Sequence, residues 1–255
     1  MELNGAVVAV TGGSRGFGLA IATLLVEKGA RVGLIGRSAD TLAAVVAALG
    51  EDNALGISAD VGDKSAIAGA LVAINDHFGQ LDALINNAGL ARPNAIEKQL
   101  EDEVLLQVNT NFVGTVFACQ AAIPLLESAA DPRILNISSA SAWHYDEMSH
   151  LSIYAASKAA VERFTRDLRE ELQPKNIGVT CLRPGGAWTT FSDGWDSDAL
   201  KAGLDAWHDS GPHMDTGMEV TQVAEAVVYC LQQPTGVAVD LLELRPNQLT
   251  PKLKL

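Results

Sequence analysis

Cysteines, aromatics, positive charge and long apolar runs are all scarce in this 255-residue chain. The three cysteines, Cys119, Cys181 and Cys230, are scattered, odd in number and without metal-ligand spacing. They read as reduced, mostly buried thiols rather than a disulfide framework. His77, His144, His150, His208 and His213 show no zinc-site pattern either, so no metal is expected. Lys and Arg number 18 against 31 Asp and Glu, a net charge of −13. That balance disfavours nucleic acid and anionic membrane surfaces, which both require basic patches. No stretch approaches the roughly eighteen unbroken apolar residues of a membrane-crossing helix. The start of the chain lacks a positively charged segment followed by an apolar run and a cleavage site, which makes a soluble cytoplasmic protein the expectation. Linkers, solenoid repeats and low-complexity tracts are missing too, so one undivided domain over 1–255 is expected.

What the chain has in abundance is Ala, Val, Leu and Gly, the composition of close helix-on-sheet packing. Short apolar strands are predicted at Ala6–Val10, Val32–Ile35, Ala54–Ser58, Ala83–Ile85, Ile134–Ile137, Val179–Leu182 and Val237–Leu244. Helical patterns of ten or more residues lie between them. The alternation predicts an α/β fold: a doubly wound parallel sheet of about seven strands, helices on both faces, and ligands beyond the carboxyl ends of the strands.

The first strand runs into Thr11-Gly12-Gly13-Ser14-Arg15-Gly16-Phe17-Gly18, and a helix follows through Leu19, Ala20, Ala22, Thr23 and Val26 to Gly29. Glycines let the backbone turn tightly and approach a pyrophosphate, to which the helix N-terminus presents unpaired N–H groups and partial positive charge. A tight strand-to-helix connection would have some of the same features. Farther on, Tyr154 and Lys158 stand four residues apart, so on a helix an ammonium sits beneath a phenol. A free phenol ionises at about pH 10, and a neighbouring cation favours the phenolate, which suits acid–base work near neutral pH. The same spacing also occurs in ordinary helix-surface pairs.

Thr-Gly-x-x-x-Gly-x-Gly is followed, in order, by Asn86-Asn87-Ala88-Gly89, Ile137-Ser138-Ser139, Tyr154-x-x-x-Lys158 and Arg183-Pro184-Gly185. With these five motifs, the chain from about Leu3 to Arg245 resembles the short-chain dehydrogenase/reductase family. The resemblance implies a single-domain Rossmann fold and a hydride transfer between a nicotinamide and a ketone or secondary alcohol. A non-catalytic NADP(H)-sensing or scaffold protein, or an NAD-dependent alcohol dehydrogenase, could carry the same motifs.

For the cofactor, the resemblance assigns the pyrophosphate to Gly12, Ser14, Arg15, Gly16, Phe17 and Gly18. It assigns the adenine to Asp60 and Val61, and the ribose side to Asn87, Ala88 and Gly89. Asp60 could alternatively cap a helix beginning near Asp63. The second strand ends Ile35-Gly36-Arg37-Ser38, without the carboxylate that usually holds an NAD ribose. Arg37, with Arg15 as a second cation, suits a 2′-phosphate, so NADP(H) is expected, with Asp40 as the displaced acceptor if the cofactor is NAD. Tyr154 and Lys158 would also meet the cofactor, and Pro184, Gly185, Ala187 and Thr189 would line its nicotinamide end.

The implied catalytic set is Asn111, Ser139, Tyr154 and Lys158. Tyr154 is the proton donor or acceptor, Lys158 tunes it and holds ribose hydroxyls, and Ser139 steadies the reacting oxygen. Asn111, in a distorted helix, holds a relay water. Ser139 precedes Tyr154 by fifteen residues where the family has thirteen, the count that Ser141 meets; the strand end favours Ser139, and Ser141 stays open. Trp143, His144, Tyr145, Met148 and His150 between them would line a substrate pocket or pack among themselves on the surface. Residues of about 190–217 correspond to the family's variable substrate lid, here acidic through Asp193, Asp196, Asp198, Asp205, Asp209 and Asp215, with Phe191, Trp195 and Trp207. An acidic lid points to an uncharged small-molecule carbonyl or alcohol substrate, and the overall charge disfavours acidic carrier proteins. Similar proteins form dimers or tetramers through the helices bearing Asn111 and Tyr154, so a homo-oligomer is expected.

Overall fold

A computed structural model describes residues 1–144 and 148–252 of the chain, so Tyr145 of the aromatic loop lies outside the described residues. In chain order the elements are β1 (Val7–Thr11), α1 (Gly16–Glu27), β2 (Arg31–Gly36), α2 (Ala39–Leu49), β3 (Ala54–Ser58), α3 (Lys64–Phe78) and β4 (Ala83–Asn86). Then come α4 (Glu101–Val108), α5 (Gly114–Leu126), β5 (Arg133–Ile137), α6 (Ser152–Leu172) and β6 (Gly178–Pro184). The chain continues with α7 (Ser197–His208), β7 (His213–Asp215), α8 (Val220–Leu231), β8 (Leu241–Leu244) and β9 (Leu249–Pro251).

Seven strands form one parallel sheet in the order β3-β2-β1-β4-β5-β6-β8. Side chains alternate across it. Val8, Val10, Val32, Leu34 and Ile85 join α1, α2 and α8 on one face, and Val7, Ala9, Ile35 and Leu84 join α3, α5 and α6 on the other. Both faces are therefore covered, which is why the strands read as unbroken apolar runs. The last sheet strand is shorter than predicted. Val237–Asp240 is irregular, and only Leu241–Leu244 pairs with β6, because Val237 N–H bonds back to Pro234 O in a turn.

The order reverses between β1 and β4, which opens a crevice at their carboxyl ends. A separate two-stranded antiparallel ribbon pairs β7 with β9, bringing the C-terminal segment across the end of α7. Among the described residues, no helix is long and apolar enough to cross a membrane.

Candidate active site

The crevice is a cleft of about 600 Å³ over the carboxyl ends of the strands. Its floor is the β1–α1 turn. Thr11, 1% exposed, accepts hydrogen bonds from the N–H groups of both Asn87 and Ala88 at 3.0 Å. Asn87 Nδ2 donates back to Thr11 O at 2.9 Å and Gly12 O at 3.1 Å. The turn is thereby locked to the end of β4. Gly12 has φ +65°, and a Cβ on Gly18 would stand 2.1 Å from Gly12 O, so neither position admits a side chain without movement. Helix α1 begins with no side-chain cap from Arg15, leaving its first N–H groups facing the cleft. Gly12, Ser14, Arg15, Gly16 and Phe17 line the cleft; Gly18 lies behind it, packing helix against turn.

At one end of the cleft Arg37 and Ser38 follow β2. Ser38 Oγ accepts from Thr41 N–H at 3.3 Å and so starts α2, while the Arg37 side chain is exposed. Arg15 stands 3.9 Å from Asp193 of the predicted lid. Asp40 sits in the first turn of α2 and does not line the cleft. Asp60 and Val61 do. Asp60 Oδ1 accepts Gly62 N–H at 2.8 Å, whereas Asp63 caps α3, taking Ser65 and Ala66 N–H at 2.9 and 3.0 Å. The alternative reading of Asp60 as the helix cap is therefore corrected.

At the other end Tyr154 and Lys158 lie on one face of α6, with Lys158 Nζ 6.0 Å from the phenol ring centre. Lys158 is 4% exposed and donates to Ile137 O at 2.8 Å. Burial pulls its pKa down to about 8, against a small opposing effect of Cys181. Ser139 stands two residues past β5 and caps a short 3₁₀ turn over Ala140–Ala142, its Oγ accepting Ser141 N–H at 3.2 Å. That bond occupies an acceptor site of the hydroxyl and leaves its proton to donate into the cleft. Ser138 N–H pairs with Leu182 O at 2.8 Å, so ladder pairing runs one residue past β5 and Ser139 follows it directly. Ser141 lines the same cleft.

Asn111 lies in a π-helical turn over Asn109–Val113, between α4 and α5. Its side chain is fully buried, donating to Leu90 O and Ser157 Oγ at 2.9 Å and accepting Leu90 N–H at 2.8 Å. Asn111 therefore does not line the cleft; it fixes the segment after Gly89, whose Cα faces Lys158 Nζ closely enough to put a Cβ 3.2 Å away. Asn87, Ala88, Gly89, Pro184, Gly185, Ala187 and Thr189 all line it. Ala187 is held by a bridge to Met218, with Trp188 N–H to Met218 O and Met218 N–H to Gly186 O both at 2.9 Å.

Sequence reasoning missed Leu90 and Leu151 in the cleft wall, and did not foresee that Phe191 reaches Tyr154, their ring centres 5.4 Å apart. Among the described residues of the aromatic loop, Trp143, His144, Met148 and His150 do not line the cleft, as one of the two expectations had it. Trp143 is 68% exposed over Arg183, His144 bonds Glu243 at 2.6 Å, and Met148 and His150 pack under Gly203 of α7. Nor does the acidity of the 190–217 segment face the cleft as a block. Asp196 caps α7, Asp205 pairs with Lys201, and Asp215 pairs with Arg245 at 2.8 Å. Cys119, Cys181 and Cys230 are free and buried, and burial pushes the first two thiols up to about 12.

The glycine cradle, the uncapped helix start and the exposed Arg37 fit a dinucleotide. Known proteins agree with that arrangement. The sequence model of the family described as short chain dehydrogenase matches residues 6–199. An uncharacterised oxidoreductase of Staphylococcus aureus (strain N315) is 32% identical over 96% of this chain and 98% of its own. A short chain dehydrogenase from Burkholderia cenocepacia solved in complex with NADP is 32% identical, with a TM-score of 0.80 over 96% of this chain and 98% of that one. A 3-ketoacyl-(acyl-carrier-protein) reductase from Brucella melitensis solved with NADH is 26% identical, with a TM-score of 0.83 over 96% and 98% of the two chains.

Proposed function

The chain belongs to the short-chain dehydrogenase family of oxidoreductases, and from that premise we propose an NADP(H)-dependent enzyme that interconverts an uncharged ketone and its secondary alcohol. One observation carries the reading. Tyr154, Lys158 and Ser139 converge on the cleft whose opposite end is Arg37 and whose floor is the glycine turn. The nicotinamide, when bound, supplies the hydride. Tyr154 gives its hydroxyl proton to the carbonyl oxygen in reduction and takes it back in oxidation. The buried Lys158 ammonium favours the phenolate and reaches ribose hydroxyls. Ser139 donates to the reacting oxygen, its geometry set by Ser141 N–H. Arg37 and Arg15 favour a 2′-phosphate.

Among the described residues, the cationic side chains lining the cleft are Arg15 and Arg37 at the far end and Lys158 beneath the phenol. Leu90, Leu151 and Phe191 line the cleft together with the neutral Ser139, Ser141, Thr189 and Thr190, so a carboxylate or phosphate on the substrate would find no second cation there beside Lys158. Ile96, Leu100 and Leu105, exposed on and before α4, support assembly as a dimer or tetramer. A cytoplasmic site of action belongs to the same proposal.

Titration with NADPH and NADH followed by a panel of ketones and aldehydes tests this. Tighter binding of NADPH, its consumption with uncharged ketones, and loss of turnover but not of NADPH binding in Tyr154→Phe are expected. Turnover of acyl-carrier or coenzyme A thioesters alone would overturn the substrate reading, and binding with no turnover at all would favour a sensor.

A further inference from the structure

Behind Tyr154 and Ser139 runs a line of polar and charged groups outside the proton path described above. Ser138 Oγ lies 2.7 Å from Glu162 Oε1 and 3.2 Å from Lys158 O, so its hydroxyl proton goes mainly to the carboxylate. Glu162 is one turn beyond Lys158 on α6. Arg183, at the end of β6, grips both of its oxygens, Nε to Oε1 at 2.8 Å and Nη2 to Oε2 at 2.6 Å. The third branch of Arg183 reaches Glu243 on β8 at 2.7 Å.

The Arg183 and Glu162 side chains are 9% and 17% exposed. Withdrawing such a pair from water offsets most of its attraction, and apolar residues of similar size would hold the packing as well. What a bidentate pair adds is fixed direction. Helix α6 docks on β5 and the residues after it through Lys158 Nζ to Ile137 O, Ser138 Oγ to Glu162 and to Lys158 O, and, two turns beyond Lys158, Asn136 Nδ2 to Thr165 Oγ1 at 2.9 Å. Ile137, Ser138 and Ser139 are consecutive. The same bonds that seat the helix therefore set Tyr154 against Ser139, while Arg183 ties the seat to Pro184–Gly185 at the nicotinamide end.

We propose that Glu162 is a positioning residue: held by Arg183, its carboxylate grips Ser138 and so fixes Tyr154 and Lys158 relative to Ser139. The proposal rests on the acid–base role of Tyr154. Without the Ser138 bonds, the start of α6 is tied to the strand end by Lys158 Nζ alone, the next bond being Asn136 to Thr165 two turns on. Packing can survive this loss, but Tyr154, carried on the helix backbone, no longer keeps a fixed distance from an ammonium that stays anchored at Ile137 O.

Ultraviolet titration of phenolate, with Tyr154→Phe subtracting Tyr145 and Tyr229, reads this directly in the NADP-bound protein. In Ser138→Ala, which removes one oxygen and no charge, Tyr154 is expected to ionise at least about half a pH unit later, toward the roughly pH 10 of a free phenol. The NADPH dissociation constant should stay within about twofold, while kcat on any ketone turned over falls by about fivefold or more, the pattern of a lost transition-state arrangement. Glu162→Ala should move the ionisation the same way. A purely electrostatic role predicts the opposite, because removing a negative charge makes the phenolate easier to form. An unmoved or earlier ionisation in Ser138→Ala overturns the proposal while leaving the parent's chemistry intact. A parent in which Tyr154 ionises no earlier than a free phenol overturns the acid–base reading and the positioning role together.

Discussion

Replacing Lys158 with methionine should make the protein more stable at neutral pH while abolishing its turnover. The ammonium is 4% exposed and its pKa falls from 10.5 to about 8, a change whose main cause is burial. At 1.36 kcal/mol per pH unit this is an unfavourable contribution of about 3 kcal/mol at pH 7. The bond to Ile137 O, lost in the variant, offsets about 1–2 kcal/mol of that. Lys158→Met fills nearly the same volume without charge, so a net gain of about 1–2 kcal/mol remains, or some 2–8 °C in Tm. The sign with pH is also fixed. Below pH 8 both folded and unfolded chains carry the proton and the full penalty applies. Between about 8 and 10.5 the unfolded chain holds the proton and the folded one releases it, so the parent gains stability as pH rises. Denaturant unfolding of both proteins at pH 7 and pH 9.5 should therefore show a gap that narrows at the higher pH. A variant less stable than the parent at pH 7, or a gap independent of pH, would refute the reasoning.

Other perturbations test separate parts of the site. Arg37→Asp should move the ratio of NADPH to NADH dissociation constants toward NADH by roughly tenfold to a hundredfold, from about 1.5–3 kcal/mol for a charged hydrogen bond. An unchanged ratio would pass the selectivity to Arg15. Gly18→Ala drives a Cβ to 2.1 Å from Gly12 O and should cost about 1–3 kcal/mol, together with weaker cofactor binding; an unshifted unfolding midpoint would mean that the turn can open. Glu243 is raised by burial but brought below its ordinary pKa by hydrogen bonds from Arg183 and His144. Its contribution is present above the ordinary value of about 4.3 and is lost as pH falls through the lower folded value. Glu243→Gln should accordingly flatten the acid limb of the stability curve, and an acid limb as steep as the parent's would show that other carboxylates govern it.

How much of this could be read beforehand follows from the range of the interactions involved. The strands were legible because burial on both faces makes each a continuous apolar run. Val237–Asp240 misled because Val237, Ala238 and Val239 have the same composition while a turn takes their hydrogen bonds. The glycine turn was legible because its conformation depends on residues adjacent in sequence, Gly12 with φ +65° above all. Ser139 and Ser141 could not be separated by counting, since the count changes wherever residues are inserted. The fold places Ser139 directly after the paired strand end and Ser141 in the 3₁₀ turn behind it, both lining the cleft.

Interactions between distant segments left no such trace. The lid segment looked acidic and solvent-facing, yet its helix is pinned by Lys252, which is 5% exposed and donates to Trp207 O and Ser210 Oγ at 2.5 and 2.7 Å. Arg245 meets Asp215 from the same C-terminal segment, and β9 pairs with β7. No local pattern marks a lysine as buried; its ammonium sits at the C-terminal carbonyls of α7 and over the Trp207 ring, where helix dipole and aromatic face both favour a cation. Asn111 teaches the same point from inside the site. It was expected in a distorted helix, and it lies in a π-turn that directs its side chain into the protein, where Leu90 and Ser157 satisfy it. Asn111→Ala is therefore expected to loosen the Gly89–Leu90 segment beside Lys158, which its side chain holds from both sides of Leu90.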